Sequence, residues 1–464
     1  MYLCTEYYPQ LLLLILMANV IKIKKGLNIR LQGEAPKVDL QVVQGDLYGV
    51  VPDHYPGFLP KLLVQAGDRV LAGTPVMYHK NCPDLKITSP VSGVVKEIRR
   101  GAKRKILSVD IQPEATQAYE SYDVSSVATM ERMDILHLLQ ASGMLALIRQ
   151  RPYDYVALPT VAPRDIFITA NLTAPLAPDV NYVLKNDLDH IQLAVDALRK
   201  LTYGSVVMGV PANSTLCPKN CEVYQVQGAH PAGNVGVLIN HVRPVNKGEV
   251  VWTLSITELI LIGRFLATGK VDMSKCIALT GSKLETRGYV NVLPGCSVRH
   301  LVASRLSNGT EHVRIIDGDP LTGRMVDAEY DALSPYSNQI TVIPEGDDVH
   351  ELFGWAVPGF NKFSMSRTYP SFLTSKKYDI DARLRGGERA IIMSNEYDKV
   401  FPFDIYPEYL IKAIIAFDID KMESLGIYEV APEDFAVCEF VDTSKLDLQY
   451  IVRKGLDLLY KEMN

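Results

Sequence analysis

The chain has 464 residues, 47% hydrophobic and 22% charged, with 48 basic against 53 acidic side chains and a formal net charge of −5. Those proportions exclude a wholly disordered or fibrous chain, and the acidic balance argues against nucleic acid as the main partner, which would want a basic excess. At about 150 residues per domain the length suggests roughly three domains, or four.

The chain opens with MYLCTEYYPQLLLLIL, residues 1–16, which is unlike the rest of the sequence. Its apolar run falls short of the roughly 20 residues needed to cross a bilayer. It comes after Glu6 with no Lys or Arg before it, so it does not read as a signal peptide either. Met17 is the expected start, with 1–16 a mis-assigned start or disordered. No later apolar run approaches membrane length, so no transmembrane segment is expected.

Residues 40–111 read as short Val- and Ile-rich strands separated by Gly, Pro and Asp turns. The pairing of Gly67-Asp68-Arg69-Val70 and Gly73 with Ser89-Pro90 and Gly93-Val94-Val95 resembles the lipoyl/biotinyl-type barrel-sandwich hybrid. Carrier domains of that type keep a lysine in the hairpin before this proline. Here the position reads as Cys82, so a prosthetic-group carrier is not expected. A basic run comes next, with Lys96, Arg99, Arg100, Lys103, Arg104 and Lys105 around a hairpin. It reads equally as a dock for an acidic partner or anionic lipid heads and as a solvated turn.

Residues 131–150 show helical spacing of Met133, Leu136, Leu139 and Leu145. The run IFITAN after Asp165 ends a strand. Residues 187–202 form an amphipathic helix with Ile191, Ala194, Val195 and Leu198 in one stripe, which feeds an apolar strand after Ser205. Another strand begins at Glu222, and a helix from Thr257 ends at Gly269 as its C-cap. This alternation predicts a Rossmann-like α/β domain. From Cys276 the order is strand, turn, strand, helix and a further strand pair, expected as a β-grasp, SLBB-like module. The remainder holds the run ITVIPEG, a loop with Trp355 and Phe363, and helices at 407–425, 432–438 and 446–462. The fold class is thus α+β and α/β multidomain. The expected boundaries are 17–115 for the barrel-sandwich domain, 116–270 for the Rossmann-like domain, 271–340 for the β-grasp and 341–464 for a mostly helical C-terminal domain.

Chemistry is sparse. The seven cysteines are odd in number and scattered, and only Cys217 and Cys221 lie close. A disulfide framework, an iron–sulfur cluster and a structural zinc site are therefore not expected. No histidine pair has HxxxH or HExxH spacing, and no GxSxG elbow is present. No metal site and no catalytic residue are predicted. The loop GAHPAGNVG, 228–236, is neither GxGxxG nor a P-loop. It reads as a phosphate or flavin cradle or as a tight loop between layers, with the loop favoured. The acidic pairs Asp347-Asp348 and Glu433-Asp434 sit beside helix starts and read as caps and dipole partners.

The stretches IKIKKGLNI (21–29), GDRVLAGTPV (67–76), SPVSGVV (89–95), PRDIFITA (163–170), APLAPD (174–179) and HPAGNVG (230–236) together carry a resemblance. So do GWAVPGFNKFSMSRT (354–368), GGERAIIM (386–393) and the long runs 397–420 and 425–445. From Met17 to its end the chain resembles the A subunit of the sodium-translocating NADH:quinone oxidoreductase. Asn171 stands where the family leads one to expect an acid.

The resemblance implies a peripheral protein on the cytoplasmic face of the inner membrane, within a six-subunit complex that passes electrons from NADH to quinone and exports Na⁺. It implies no tightly bound cofactor in this chain, with NADH, flavins and iron–sulfur centres on other subunits and quinone, ubiquinone included, as substrate. A quinone slot needs an apolar wall and a few donors to the carbonyl oxygens. Two segments offer these: His54, Tyr55 and Phe58, and Phe353, Trp355, Phe360, Lys362 and Phe363. The same aromatics could simply pack a domain junction. Arg99, Arg100, Lys103, Arg104 and Lys105 are the candidates for partner or membrane docking. The alternative is a purely structural docking subunit of the same or an Rnf-type electron-transfer complex. A stand-alone flavin- or NADH-dependent enzyme is disfavoured by the missing glycine-rich fingerprint.

Overall fold

The computed structural model describes residues 19–42, 44–185, 187–307, 312–347, 349 and 359–463. The expectation about residues 1–16 lies outside them. Near the N-terminus two antiparallel sheets face each other. One has four strands, Tyr48–Val50, Ile106–Pro113, Gly93–Arg100 and Arg69–Val70; the other has three, Pro60–Leu62, Pro75–His79 and Cys82–Thr88. Val76, Met77, Leu85, Ile87, Val95, Val109 and Ile111 fill the space between them. Gly93 is required because a Cβ there would lie 2.0 Å from the Gln112 carbonyl oxygen. The hairpin turn is Lys80-Asn81, and Cys82 pairs with His79 as the first residue of the next strand. The turn therefore holds a lysine, and Cys82 stands just past it, a correction to the expected position.

The large central sheet has seven strands in the order Val20–Lys22, Glu222–Gln227, Val206–Pro211, Ile166–Thr169, Val251–Ser255, Arg149–Arg151 and Tyr155–Val156. The first five run parallel; Arg149–Arg151 runs antiparallel to them and to Tyr155–Val156 on its other side. The inner strands are covered on both faces, which explains their continuous apolar sequence. The helix Leu188–Leu201 buries the expected stripe of Ile191, Ala194, Val195 and Leu198. The helix Ile256–Thr268 starts in a capping box of Ser255 and Glu258 and ends at Gly269 with φ 67°, as its sequence predicts.

Three details depart from expectation. Val20–Lys22 lies in the barrel segment by sequence but is the edge strand of the α/β sheet. The helix expected over 131–150 spans only Arg132–Ala141, because Gly143 adopts φ 76° and turns the chain. Arg149–Arg151 then enters the sheet as a strand. Met133 is 49% exposed, and the buried face is set instead by Ile135, Leu136 and Leu139.

A five-stranded sheet comes next, in the order Gly288–Val292, Lys275–Thr280, Gln339–Pro344, Val313–Asp317 and Arg324–Met325. The expected boundary at 340 falls inside its central strand. Gln339–Pro344 runs parallel to Lys275–Thr280 and antiparallel to Val313–Asp317. At the C-terminal end, Phe417 at φ 55° splits the expected 407–425 helix into Pro407–Ile415 and Ile419–Ser424. The 432–438 helix is a single tight turn, Pro432–Phe435, followed by Ala436–Val441, and the last helix is Leu448–Met463. These helices share one core with the central sheet: Leu410, Ile414, Phe435, Val452 and Leu456 join Phe167, Val207 and Val226. They are a covering layer of that sheet.

Candidate functional site

In the central sheet the chain moves outward from Ile166–Thr169 to Val206–Pro211 and Glu222–Gln227, then crosses back to Val251–Ser255. The strand order reverses between Ile166–Thr169 and Val251–Ser255, and a crevice is expected outside the carboxyl ends of those strands. A cavity of about 490 Å³ lies there. Thr169, Asn171 and Ser255 come from the strand ends, Gly233 and Asn234 from the glycine loop, and Asp53 and His54 from the barrel. Asp317, Arg324, Tyr336 and Gln339 come from the five-stranded sheet and its loops, and Glu433 from the C-terminal layer. All four regions of the chain therefore meet at this point. Asn171 is buried and donates its amide to the Val226 carbonyl at 3.1 Å, a bond a carboxylate could not make.

A buried charge network reaches the cavity through Arg149, Asp154 and Glu433 and continues behind its wall. Arg151, 1% exposed, lies 2.9 Å from Glu433, 3.3 Å from Asp434 and 3.8 Å from Asp154. Arg149 reaches Asp154 at 3.4 Å and lies 4.3 Å from the centre of the Tyr336 ring. Burial works against the Arg149 charge, and Asp154, Tyr336 and Glu433 outweigh it, holding the guanidinium above its ordinary value. Burial pushes Asp434 upward, while Arg151 and the Ala431 N–H pull it back. Lys275 lies 3.8 Å from Glu258 and donates to the Pro335 carbonyl at 2.7 Å.

The starts of the two helices facing the crevice are both occupied from within. Ser255 and Glu258 cap Ile256–Thr268. At the start of Val235–Val242, a Cβ on Gly236 would lie 2.6 Å from an Asp434 carboxylate oxygen, and the Asn234 amide donates to the Glu433 carbonyl at 3.2 Å. Asp434 thus places a carboxylate beside the first turn of that helix, where negative charge is favoured by the helix dipole. Gly233 is pressed against the Asn171 carbonyl oxygen, 2.0 Å from where a Cβ would stand. The 228–236 segment is accordingly packed tightly at both Gly233 and Gly236. Asp434 caps its own turn, Pro432–Phe435, by accepting from the Ala431 N–H at 2.9 Å, as expected, and it also lies beside the start of the distant 235–242 helix with Arg151 as counterion.

The predicted site residues fall in two places. His54 lines the cavity, is buried, and has an Nε2 without a protein partner among the described residues. Burial, with Arg324 nearby, pushes its imidazole down to about 3, so it is neutral at pH 7. Its ring meets Tyr330 edge-on at 5.2 Å. Tyr55 packs against Tyr336 and Phe58, and Phe58 against His79, all in the core. A second, small cavity of about 20 Å³ touches His54 and Tyr55 and is lined by Val50, Ile87, Leu147 and Leu333.

The other group is elsewhere. Phe360 is 72% exposed, Lys362 lies over the Tyr369 ring, and Phe363 packs with Tyr378 and Phe440. None of the three lines the cavity, and Phe353 and Trp355 lie outside the described residues. The basic hairpin is partly neutralised: Arg99 pairs with Asp110 at 2.9 Å and Lys105 with Asp53 at 2.5 Å, while Arg100 donates to the Arg104 carbonyl. Lys103 and Arg104 stand exposed at the turn.

Sequence reasoning missed Arg149, Arg151, Asp154 and Tyr336. The run RQRPYD, 149–154, has the polarity of a surface loop, and only its alternation between apolar stretches hints at a strand. Among the described residues no group of three His, Cys, Asp or Glu could hold a metal ion, and no helix is long and apolar enough to cross a membrane. The Cys221 thiol is pushed up to about 12 by burial and by Cys217, which makes it a poor ligand or nucleophile.

Comparison with known proteins gives the same layout. The chain matches the family model of the NqrA N-terminal barrel-sandwich hybrid domain over residues 21–114. It matches that of the NqrA second alpha/beta domain over 130–271, and that of the NQRA C-terminal domain over 276–328. It is 34% identical over 458 residues to the A subunit of the Na(+)-translocating NADH-quinone reductase of Rhodopirellula baltica, with 96% of this chain and 99% of that one covered. The corresponding A subunits of Pasteurella multocida and Neisseria meningitidis serogroup A are each 32% identical, covering 96% of this chain and 100% of their own length.

Proposed function

Since the chain belongs to the A-subunit family of the Na⁺-translocating NADH-quinone reductases, and so is one component of that oxidoreductase complex, we propose that it contributes to quinone binding there without a redox cofactor of its own. In this reading it is peripheral, lies on the cytoplasmic face of the membrane and works beside five other subunits. Flavins and iron–sulfur centres belong to those partners, and the quinone reduction it assists is coupled to Na⁺ export.

The observation that carries the quinone reading is His54, a buried neutral imidazole at the cavity wall whose Nε2 has no protein partner among the described residues. A neutral imidazole can donate a hydrogen bond to a quinone carbonyl oxygen. Arg149, with an unpartnered buried Nε on the same wall, would favour negative charge developing on that oxygen. The cavity's acids, Asp154, Asp317 and Glu433 among them, do not repel an uncharged quinone head. They do oppose a phosphorylated cofactor, and Asp434 adds a further acid beside the 235–242 helix. That supports a chain without flavin.

The test is titration of the full chain with a short-chain quinone. Affinity in the micromolar range, about −8 kcal/mol, is expected. His54→Leu should weaken it by about 1 kcal/mol, the worth of one hydrogen bond. No saturable binding to the wild-type chain would leave the purely structural docking role in its place.

A further inference from the structure

Residues 359–377, GFNKFSMSRTYPSFLTSKK, contain Lys362, Arg367, Lys376 and Lys377 and no Asp or Glu, in a chain whose acids outnumber its bases. The same segment exposes large apolar side chains: Phe360 at 72%, Phe372 at 54% and Leu373 at 75%. It is one folded unit. Gly359 lies against the Tyr369 ring, Lys376 donates to the Asn361 side chain at 2.5 Å, and the Ser364 N–H donates to the Ser371 hydroxyl at 3.2 Å. Arg30 fastens it to the body through the Ser371 and Thr374 carbonyls, and the buried Tyr378 closes it.

Cations and rings are interleaved. The Arg367 guanidinium lies 5.4 Å from the centre of the Phe372 ring, and the Lys362 ammonium 5.5 Å from that of Tyr369. Apolar tips beside cations in an acid-free stretch match the boundary of a membrane, where rings and aliphatic side chains enter between the headgroups and cations meet the phosphates. A second group of exposed apolar side chains, Tyr406, Tyr409, Ile415 and Phe417, is not in an acid-free stretch: Asp404 and Asp420 lie beside it in sequence, and Lys421 is paired with Asp418 at 2.7 Å. The basic hairpin at 99–105 offers charge but exposes no large apolar side chain within it.

We propose that the 359–377 segment binds anionic phospholipid at the membrane surface, with Phe360, Phe372 and Leu373 entering the interface and Arg367, Lys376 and Lys377 taking the headgroup phosphates. This rests on the peripheral-membrane reading above. Lys377, which pairs with the exposed Glu34 at 2.6 Å, exchanges that partner for lipid phosphate at little cost.

The full chain is sedimented with vesicles of phosphatidylcholine alone and of phosphatidylcholine with phosphatidylglycerol. Binding to the anionic vesicles only, weakening with salt, is expected. Arg367→Glu with Lys376→Glu should lower partitioning roughly tenfold or more, since each basic residue near such a surface counts for several-fold. Phe372→Ser with Leu373→Ser should lower it at low salt as well, with melting unchanged because both side chains are exposed. Lys103→Glu with Arg104→Glu should leave binding intact. Equal binding to both vesicle types, or loss only in the hairpin variant, overturns the proposal. Absence of vesicle binding overturns it too. If the chain then still sediments with membranes bearing the other subunits, the peripheral reading stands and the segment's partner is a protein. If it does not, both readings fall.

Discussion

Arg151 and Arg367 have the same side chain and opposite circumstances. Arg151 is sealed behind the lining of the central cavity, with three carboxylates within 4 Å. Arg367 is exposed in a stretch without any acid, over a phenyl ring. A buried guanidinium must find its counterions inside the protein, so it becomes part of the architecture. An exposed one in an acid-free segment keeps its charge for something outside. The contrast separates two meanings of charge in this chain: one fixes how its parts meet, the other faces a partner.

The sharpest way to break the comparison is to remove the buried member. Arg151→Met leaves the fully buried Asp434 without its cation, and Asp154 with Arg149 alone. It should cost about 3–5 kcal/mol, read as a large drop in melting temperature. Because Asp434 anchors the C-terminal layer to the 235–242 helix, protease cleavage within 432–463 should rise in the same variant. A loss no greater than that of an exposed arginine would mean that the network does not hold the layers together.

The second prediction concerns pH. His54 has an ordinary value of 6.5 and is pushed down to about 3 in the folded chain by burial and Arg324. A base whose folded value is depressed contributes stability above its unfolded value and loses it as pH falls towards the folded one. The loss therefore begins near pH 6.5 and continues to about pH 3. By pH 4.5 it reaches about 2–3 kcal/mol, since each unit is worth about 1.4 kcal/mol. His54→Leu should flatten the acid limb of the melting temperature against pH. An unchanged limb would show that the imidazole is reached by water and titrates freely.

Much of the fold is readable from sequence, and the failures have a common cause. The helix Ile256–Thr268 and its Gly269 cap were legible because a stripe and a cap are local signals. So were the strand Val206–Pro211 and the glycine pattern of the barrel. What stayed hidden depends on partners far away in sequence. Gln339–Pro344 completes a sheet begun at Lys275, so the expected boundary at 340 cut it. Arg151 looks like a surface residue because its acid Asp434 is 283 positions away. Of the candidate site, His54 was picked for its donor and lines the cavity, whereas Phe363 was picked for its ring and packs a separate cluster. Composition can nominate a donor or a ring; it cannot say which cavity that group faces.

A third prediction tests how closely the covering layer is fitted. Gly455 lies on the last helix where a Cβ would stand 2.9 Å from the Ile414 Cγ2 atom. Gly455→Ala gains helix propensity of roughly 1 kcal/mol but forces the two helices apart. The net effect should be a loss of about 1–2 kcal/mol by chemical denaturation. A gain in stability would mean that Ile414 rotates away freely and that the layer is loosely packed.

The smallest effect belongs to the exposed member of the comparison, and its smallness is the point. Phe372 and Leu373 project from the 359–377 segment at 54% and 75% exposure, so replacing both by Ser creates no cavity and breaks no hydrogen bond. Stability should change by no more than about 0.5 kcal/mol. Against the several kcal/mol of Arg151→Met, such a result would say that these side chains do nothing for the fold. Large apolar groups kept in water without a folding role point to a surface that is covered in the working complex. If the double variant instead unfolded more readily, the two side chains would be core residues of the segment. The division between charge that builds the protein and surface that meets a partner would then fail where it was drawn.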